Sequence, residues 1–150
     1  MKIAVGSDHG GFCLKRDIIL CIRKLRHVAI DVGAHDDRPS DYPDFAAAVA
    51  DRIVKGDAAR GILICGSGVG ASIAANKVRG VRAAVCHDTF SARQGVEDDS
   101  MNVLCLGARV VGPRLAEEVV REFLAARFSN VPRHRRRLQK VLAMEEDLRK

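Results

Sequence analysis

The chain has 150 residues, 47% of them apolar, and a net charge of +6; that length suits one domain with its own core. Only 4% is aromatic, with no Trp, so the core material is aliphatic, and no apolar run has the length of a membrane-spanning helix. The five cysteines, Cys13, Cys21, Cys65, Cys86 and Cys105, are odd in number and lack CxxC spacing. They argue against a disulfide framework or a zinc site and for a reducing cytoplasm. Met1 to Asp8 does not accommodate the apolar stretch of a secretory leader, so none is expected.

In chain order, short apolar runs alternate with longer amphipathic ones. Lys2–Gly6 predicts a strand. Gly11–Arg26 has helical spacing, with Phe12, Ile18, Ile19, Ile22 and Leu25 broadly on one side. Val28–Val32 predicts a second strand, closed by Gly33, and His35–Ser40 a polar loop that holds Pro39. Tyr42–Lys55 predicts a helix with Pro43 in its first turn, where proline is tolerated. Gly61–Cys65 predicts the third strand, and Val69–Lys77 the helix after it. Val81–Cys86 predicts a fourth strand, and Asp88–Glu97 a helix capped by Asp88. Asn102–Leu106 predicts the fifth strand, Pro113–Arg127 a helix, and Pro132–Arg149 a last, highly charged helix. Five strands separated by helices predict a parallel, three-layer α/β/α sheet with right-handed crossovers, in the flavodoxin-like order 2-1-3-4-5. Such sheets bind ligands beyond the carboxyl ends of their strands, at the switch in strand order. Those ends here are Ser7-Asp8-His9-Gly10-Gly11 and the run from Cys65 to Gly70.

The stretch Gly61 to Lys77 is the densest signal: a buried strand, a thiol, a glycine-rich turn and a helix start. Gly66-x-Gly68-x-Gly70 is neither a dinucleotide fingerprint, since Ala71 stands where the last glycine belongs, nor a P-loop, since no Gly-Lys-Ser/Thr follows. Two readings stay open for it. It is a tight turn that needs glycine for its backbone, or a cradle of N–H groups for an anion or a developing oxyanion. Asp8-His9 is likewise surface polarity, or a pair in which His9 meets a phosphate and Asp8 a sugar hydroxyl. Cys65, Cys86, His87 and His9 fall near one another at strand ends without a zinc-like spacing, and no metal is expected. The positive charge is concentrated: residues 127–150 carry eight basic side chains against three acidic ones. Arg133 and Arg137 are four apart, hence on one helix face, and two guanidiniums so placed suit a phosphate. With few aromatics for stacking and no other basic face, nucleic acid is the weaker reading.

These residues resemble the ribose-5-phosphate isomerase B family, which includes the heteromeric galactose-6-phosphate isomerase. The resemblance runs from Lys2 to about Ala143. It rests on Gly6-Ser7-Asp8-His9-Gly10-Gly11-Phe12, Asp41-Tyr42-Pro43-Asp44-Phe45 and Gly61 to Lys77. It continues through Gly80-Val81-Arg82-Ala83-Ala84, Asn102-Val103-Leu104, Gly107-Ala108-Arg109 and Arg133-His134 with Arg137. It implies a Rossmann-like fold and metal-independent aldose–ketose isomerisation of a phosphorylated sugar, with no cofactor, no nucleic acid and no membrane. It also implies a homodimer or tetramer with shared active sites, the helix of about 132–149 packing on a neighbouring subunit. By resemblance Cys65 is the base; Cys65 with Ala71 fits the thiol branch, since the other branch lacks this cysteine and carries Glu at position 71. Ser67 and the amides of Gly66, Gly68, Val69 and Gly70 would stabilise the enediolate. Asp8 would bind sugar hydroxyls; His9, Arg133 and Arg137 the phosphate; Tyr42 and Arg109 would also contact substrate. One departure stands out. Asp98 occupies the position where the family usually has the His assigned to opening the furanose ring, and Asp99 follows where Asn is frequent. Either the chain still isomerises ribose 5-phosphate, with Asp98, Asp99 or His87 assisting, or its substrate is already open-chain, such as a tetrose 4-phosphate. A non-catalytic sugar-phosphate-binding subunit is the third expectation.

Overall fold

Residues 1–147 are described by a computed structural model; the end of the last expected helix, with Arg149, lies outside them. The apolar runs form five strands: β1 (Lys2–Ser7), β2 (Val28–Asp31), β3 (Arg60–Cys65), β4 (Ala83–Val85) and β5 (Val103–Gly107). Between and after them run α1 (Phe12–Lys24), α2 (Tyr42–Val54), α3 (Val69–Ala75), α4 (Thr89–Asp99), α5 (Pro113–Ala125) and α6 (Pro132–Asp147). Pro43 and Pro113 both sit in the first turn of their helices, where a missing N–H costs nothing. Asp88 caps α4, its side chain accepting from the Ser91 amide at 2.7 Å.

All strand pairs are parallel, as expected, but the order is β2-β1-β3-β5-β4. This corrects the expected 2-1-3-4-5 by exchanging the last two strands. The reason lies in their side chains. All of β5, Val-Leu-Cys-Leu-Gly, is buried, whereas the three residues of β4, Ala-Ala-Val, are half-buried. The strand that is apolar on both faces takes the interior place, and the short one becomes the edge.

The exchange decides where α4 goes. A right-handed crossover puts connections that step one way on one face and those that step back on the other. Accordingly α1, α4 and α5 share one apolar cluster with Ile3, Val5, Ile62, Ile64, Leu104 and Leu106. Helices α2 and α3 pack the opposite face with Ala4, Leu63, Cys65, Val103 and Cys105. The helix α4 leaves the carboxyl end of β4 and returns to the amino-terminal edge of the sheet. There Ser100 accepts from Arg82 Nε at 2.7 Å, and Asn102 accepts from the Gly61 amide at 2.8 Å. Asp98 and Asp99 therefore sit at the edge opposite Cys65. No helix of the described residues is long and apolar enough to cross a membrane.

Candidate active site

The carboxyl ends of β1 and β3 are adjacent, with Ser7 in register with Ile64, so the loops that follow them meet. A Cβ on Gly10 would lie 3.3 Å from Asp8 Oδ1 and 3.5 Å from the Gly66 amide nitrogen. Asp8 is buried and accepts through Oδ1 from the Gly11 amide at 3.1 Å. His9 is exposed, and its Nδ1 lies 3.1 Å from both the amide nitrogen and the carbonyl oxygen of Ser40. Its backbone amide donates to Ser40 Oγ at 3.0 Å. That edge of the ring is fixed, which leaves Nε2 for a ligand.

Cys65 ends β3 at 5% exposure. The next residues turn sharply, with Gly68 at φ +83°, so that the Gly68 amide donates to Cys65 Sγ at 3.1 Å. The Val69 amide donates to Ser67 Oγ at 3.3 Å. Two of the amides expected to meet an enediolate are thus taken up inside the turn. The loop after β5 closes the other side: the amides of Ala108 and Arg109 donate to the carbonyls of Cys65 and Gly66 at 2.9 and 3.0 Å. The Arg109 guanidinium lies over Gly66, and the Tyr42 ring lies against Gly70. The result is a cleft of about 300 Å³ walled by Asp8, Tyr42, Cys65, Gly66, Ser67, Gly70, Arg109 and Val110. A thiol, a carboxylate, a hydroxyl and a guanidinium converge in it, the set needed to hold a small anionic polyol and move a proton on it.

The remaining expected site residues are elsewhere. Asp98 accepts from Gln94 Nε2 at 2.7 Å and lies 3.3 Å from His134 Nδ1. Asp99 lines a separate cavity of about 450 Å³ beneath α6, with Arg82, Met101 and Leu138. Arg133 and Arg137 are exposed on α6. The start of α6 is docked beside α4, since the Ser129 amide donates to the Glu97 carbonyl at 2.9 Å. His87 is at the carboxyl edge, but its Nε2 accepts from the Gly107 amide at 2.9 Å. Among the described residues no group of three or more His, Cys, Asp or Glu side chains is placed to hold a metal ion.

The family model described as Ribose/Galactose Isomerase matches residues 3–141. This chain belongs to that family. The isomerase is 42% identical to ribose-5-phosphate isomerase B of Escherichia coli (strain K12), over 97% of each chain. It is also 42% identical to D-erythrulose-4-phosphate isomerase 2 of Mycolicibacterium smegmatis, over 85% of this chain and 86% of that one. Among solved structures, ribose-5-phosphate isomerase B of Clostridium thermocellum superposes with a TM-score of 0.96 at 47% identity, covering 99% of both chains. The isomerase is accordingly an aldose–ketose sugar-phosphate isomerase.

Several residues that hold the isomerase's loops and α6 in place were missed in its sequence. Lys15 is 1% exposed, and its Nζ donates to Asp31 Oδ1 and to the Ala34 carbonyl, both at 2.6 Å. It anchors the start of the loop that carries Ser40. Its signal was present: Lys15 falls on the same helix side as Ile18, Ile19 and Ile22, all buried. Ser40 and His134 gave no comparable signal.

Proposed function

We propose that this enzyme interconverts ribose 5-phosphate and ribulose 5-phosphate through an enediolate, with Cys65 as the base and no metal. The observation that carries the reading is the placement of Cys65 Sγ in a cleft shared with Asp8, Ser67 and Arg109. The Cys65 thiolate takes the proton from C2 of the aldose, and the electron pair moves through C1=C2 onto the carbonyl oxygen. The O2 proton passes to O1, Cys65 returns its proton to C1, and a carbonyl remains at C2. Ser67 and the amides of Gly66 and Gly70 stabilise the oxyanion. Asp8 accepts from sugar hydroxyls, and Tyr42 and Arg109 close over the sugar. His9 Nε2 binds the phosphate.

The phosphate's other ligands, Arg133 and Arg137, come from a second copy of the chain. Within one chain they stand at the edge opposite Cys65, so only a partner can bring them to its cleft. The exposed apolar side chains Val69 and Ile73 on α3 and Phe90 on α4, at 52, 59 and 65% exposure, give that partner a surface to cover. A homodimer, or a tetramer of two such dimers, satisfies both. Five free cysteines suit a reducing compartment, which supports a cytoplasmic reading.

A second reading is favoured by Asp98. One of its oxygens accepts from Gln94 and the other lies beside His134, so its surroundings within one chain are its own fold and not a substrate cleft. An open-chain tetrose 4-phosphate needs no ring opening, and the Mycolicibacterium relative is named for such a substrate. One assay separates the readings: turnover of ribose 5-phosphate and of erythrulose 4-phosphate by the purified protein with chelator present. Cys65→Ala is expected to lower kcat on the true substrate about 10²- to 10⁴-fold. Preference for the tetrose decides for the second reading. Preference for the pentose that Asp98→His does not raise decides for the first. Binding of sugar phosphate with no entry of solvent hydrogen into it would leave only a binding subunit.

A further inference from the structure

His134 is 4% exposed although it lies in a run of exposed arginines. Its two ring nitrogens face different groups. Nε2 is 3.0 Å from Arg133 Nε. A guanidinium can only donate, so this contact exists only while Nε2 carries a lone pair and the ring proton sits on Nδ1. Nδ1 is 2.7 Å from Ser129 Oγ and 3.3 Å from Asp98 Oδ1. The serine hydroxyl can donate or accept, so it selects neither tautomer. The ionised carboxylate can only accept, and it favours the proton on Nδ1. Gln94, one turn before Asp98 on α4, donates to Oδ2 at 2.7 Å and holds the carboxylate in place. Among the described residues the terminal nitrogens of Arg133 have no hydrogen-bond partner, so the end of the guanidinium faces outward for a ligand.

We propose that Asp98 is a positioning residue: through the tautomer of His134 it orients the Arg133 guanidinium for the substrate's phosphate. The inference rests on the reading of Arg133 as a phosphate ligand. Without the carboxylate, Ser129 can donate to Nδ1 and move the ring proton to Nε2. That N–H then opposes the Arg133 Nε–H, and the guanidinium loses its hold. Asp98 in this role touches neither the sugar nor the reacting carbons, and it acts on phosphate affinity.

The test uses steady-state kinetics on the sugar phosphate that is turned over, with inorganic phosphate as competitive inhibitor. The variants are Asp98→Ala, Arg133→Ala and the two together. Asp98→Ala is expected to raise both KM and the phosphate inhibition constant about tenfold, and to change kcat much less. In the Arg133→Ala background the same change is expected to have no further effect. Nitrogen NMR of the His134 ring supplies a readout independent of turnover: the proton on Nδ1 in the parent, shifted toward Nε2 in Asp98→Ala. If Asp98→Ala does not fold, Asp98→Asn takes its place, with a partial effect in the same direction.

A fall in kcat at unchanged KM would overturn the proposal and return Asp98 to the chemistry. Additive effects of Asp98→Ala and Arg133→Ala, or an unmoved His134 proton, would overturn it while Arg133 remains a phosphate ligand. An Arg133→Ala enzyme that binds phosphate as before would remove the ligand reading itself.

Discussion

Five thiols of one residue type stand in different environments, and their chemistry should separate accordingly. Cys13 is exposed, and Cys65 opens onto the cleft. Burial, aided by Asp88, pushes the Cys86 thiol from 9.0 up to about 11, and burial raises Cys21 and, further, Cys105. An alkylating reagent attacks the thiolate, so at pH 7.5 the folded enzyme should label at Cys13 and Cys65, with sugar phosphate slowing Cys65 alone. Peptide mapping checks this; Cys86 or Cys105 labelling as fast as Cys13 would contradict the buried assignment. The same shift has a sign for stability. The folded chain keeps the Cys86 proton that the unfolded chain releases near 9.0, so this group's contribution is complete below that pH. It is lost as pH rises toward about 11.

At the scale of an element, the turn from β3 into α3 does two things with one glycine. Gly68 holds φ +83°, and its amide reaches Cys65 Sγ; a Cβ there would stand 3.0 Å from the Leu106 carbonyl carbon. Gly80 holds the same φ, but a Cβ there would meet nothing within 4 Å. Gly80→Ala should therefore cost the strain alone, about 1–2 kcal/mol. Gly68→Ala should cost more and also lower kcat, because the turn that fixes Sγ must move. Denaturation midpoints and kcat for the pair check the contrast, and equal losses would refute it. This turn was legible because thiol, hydroxyl and glycines are contiguous, so the local backbone alone assembles them. The strands and helices were legible through their periodicity. Strand order was not, because the place of β5 depends on its burial relative to β4, a comparison between two distant segments. Nor was the His9–Ser40 contact, which bridges 31 positions, nor the Asp98–His134 pair, which needs α6 docked on α4. Nothing local in the sequence signals that Gln94 and His134 are the neighbours of Asp98.

For the whole molecule, the two edges of the sheet divide the proposed site. Cys65, Asp8 and Arg109 stand at one, while Asp98, Arg133 and Arg137 stand at the other. If each cleft is completed by a second copy, Cys65→Ala and Arg137→Ala chains should each be inactive alone and should regain activity when unfolded and refolded together. The mixed dimer carries one intact cleft, built from the sound edge of each parent. Activity assays on the mixture, with dimer formation followed by light scattering, check it. No recovery from a mixture that does form dimers would show that each chain is complete in itself.

The strand order also bears on synthesis. The ribosome makes β5 last of the five strands, yet the sheet needs it between β3 and β4. Until residue 107 has emerged, a nascent chain carries β3 with an open flank and β4 with no strand to join. Both are sticky backbone edges of the kind that recruit foreign strands. The first half of the protein can assemble as it appears, but the second half must wait, unpaired, for its centre to arrive.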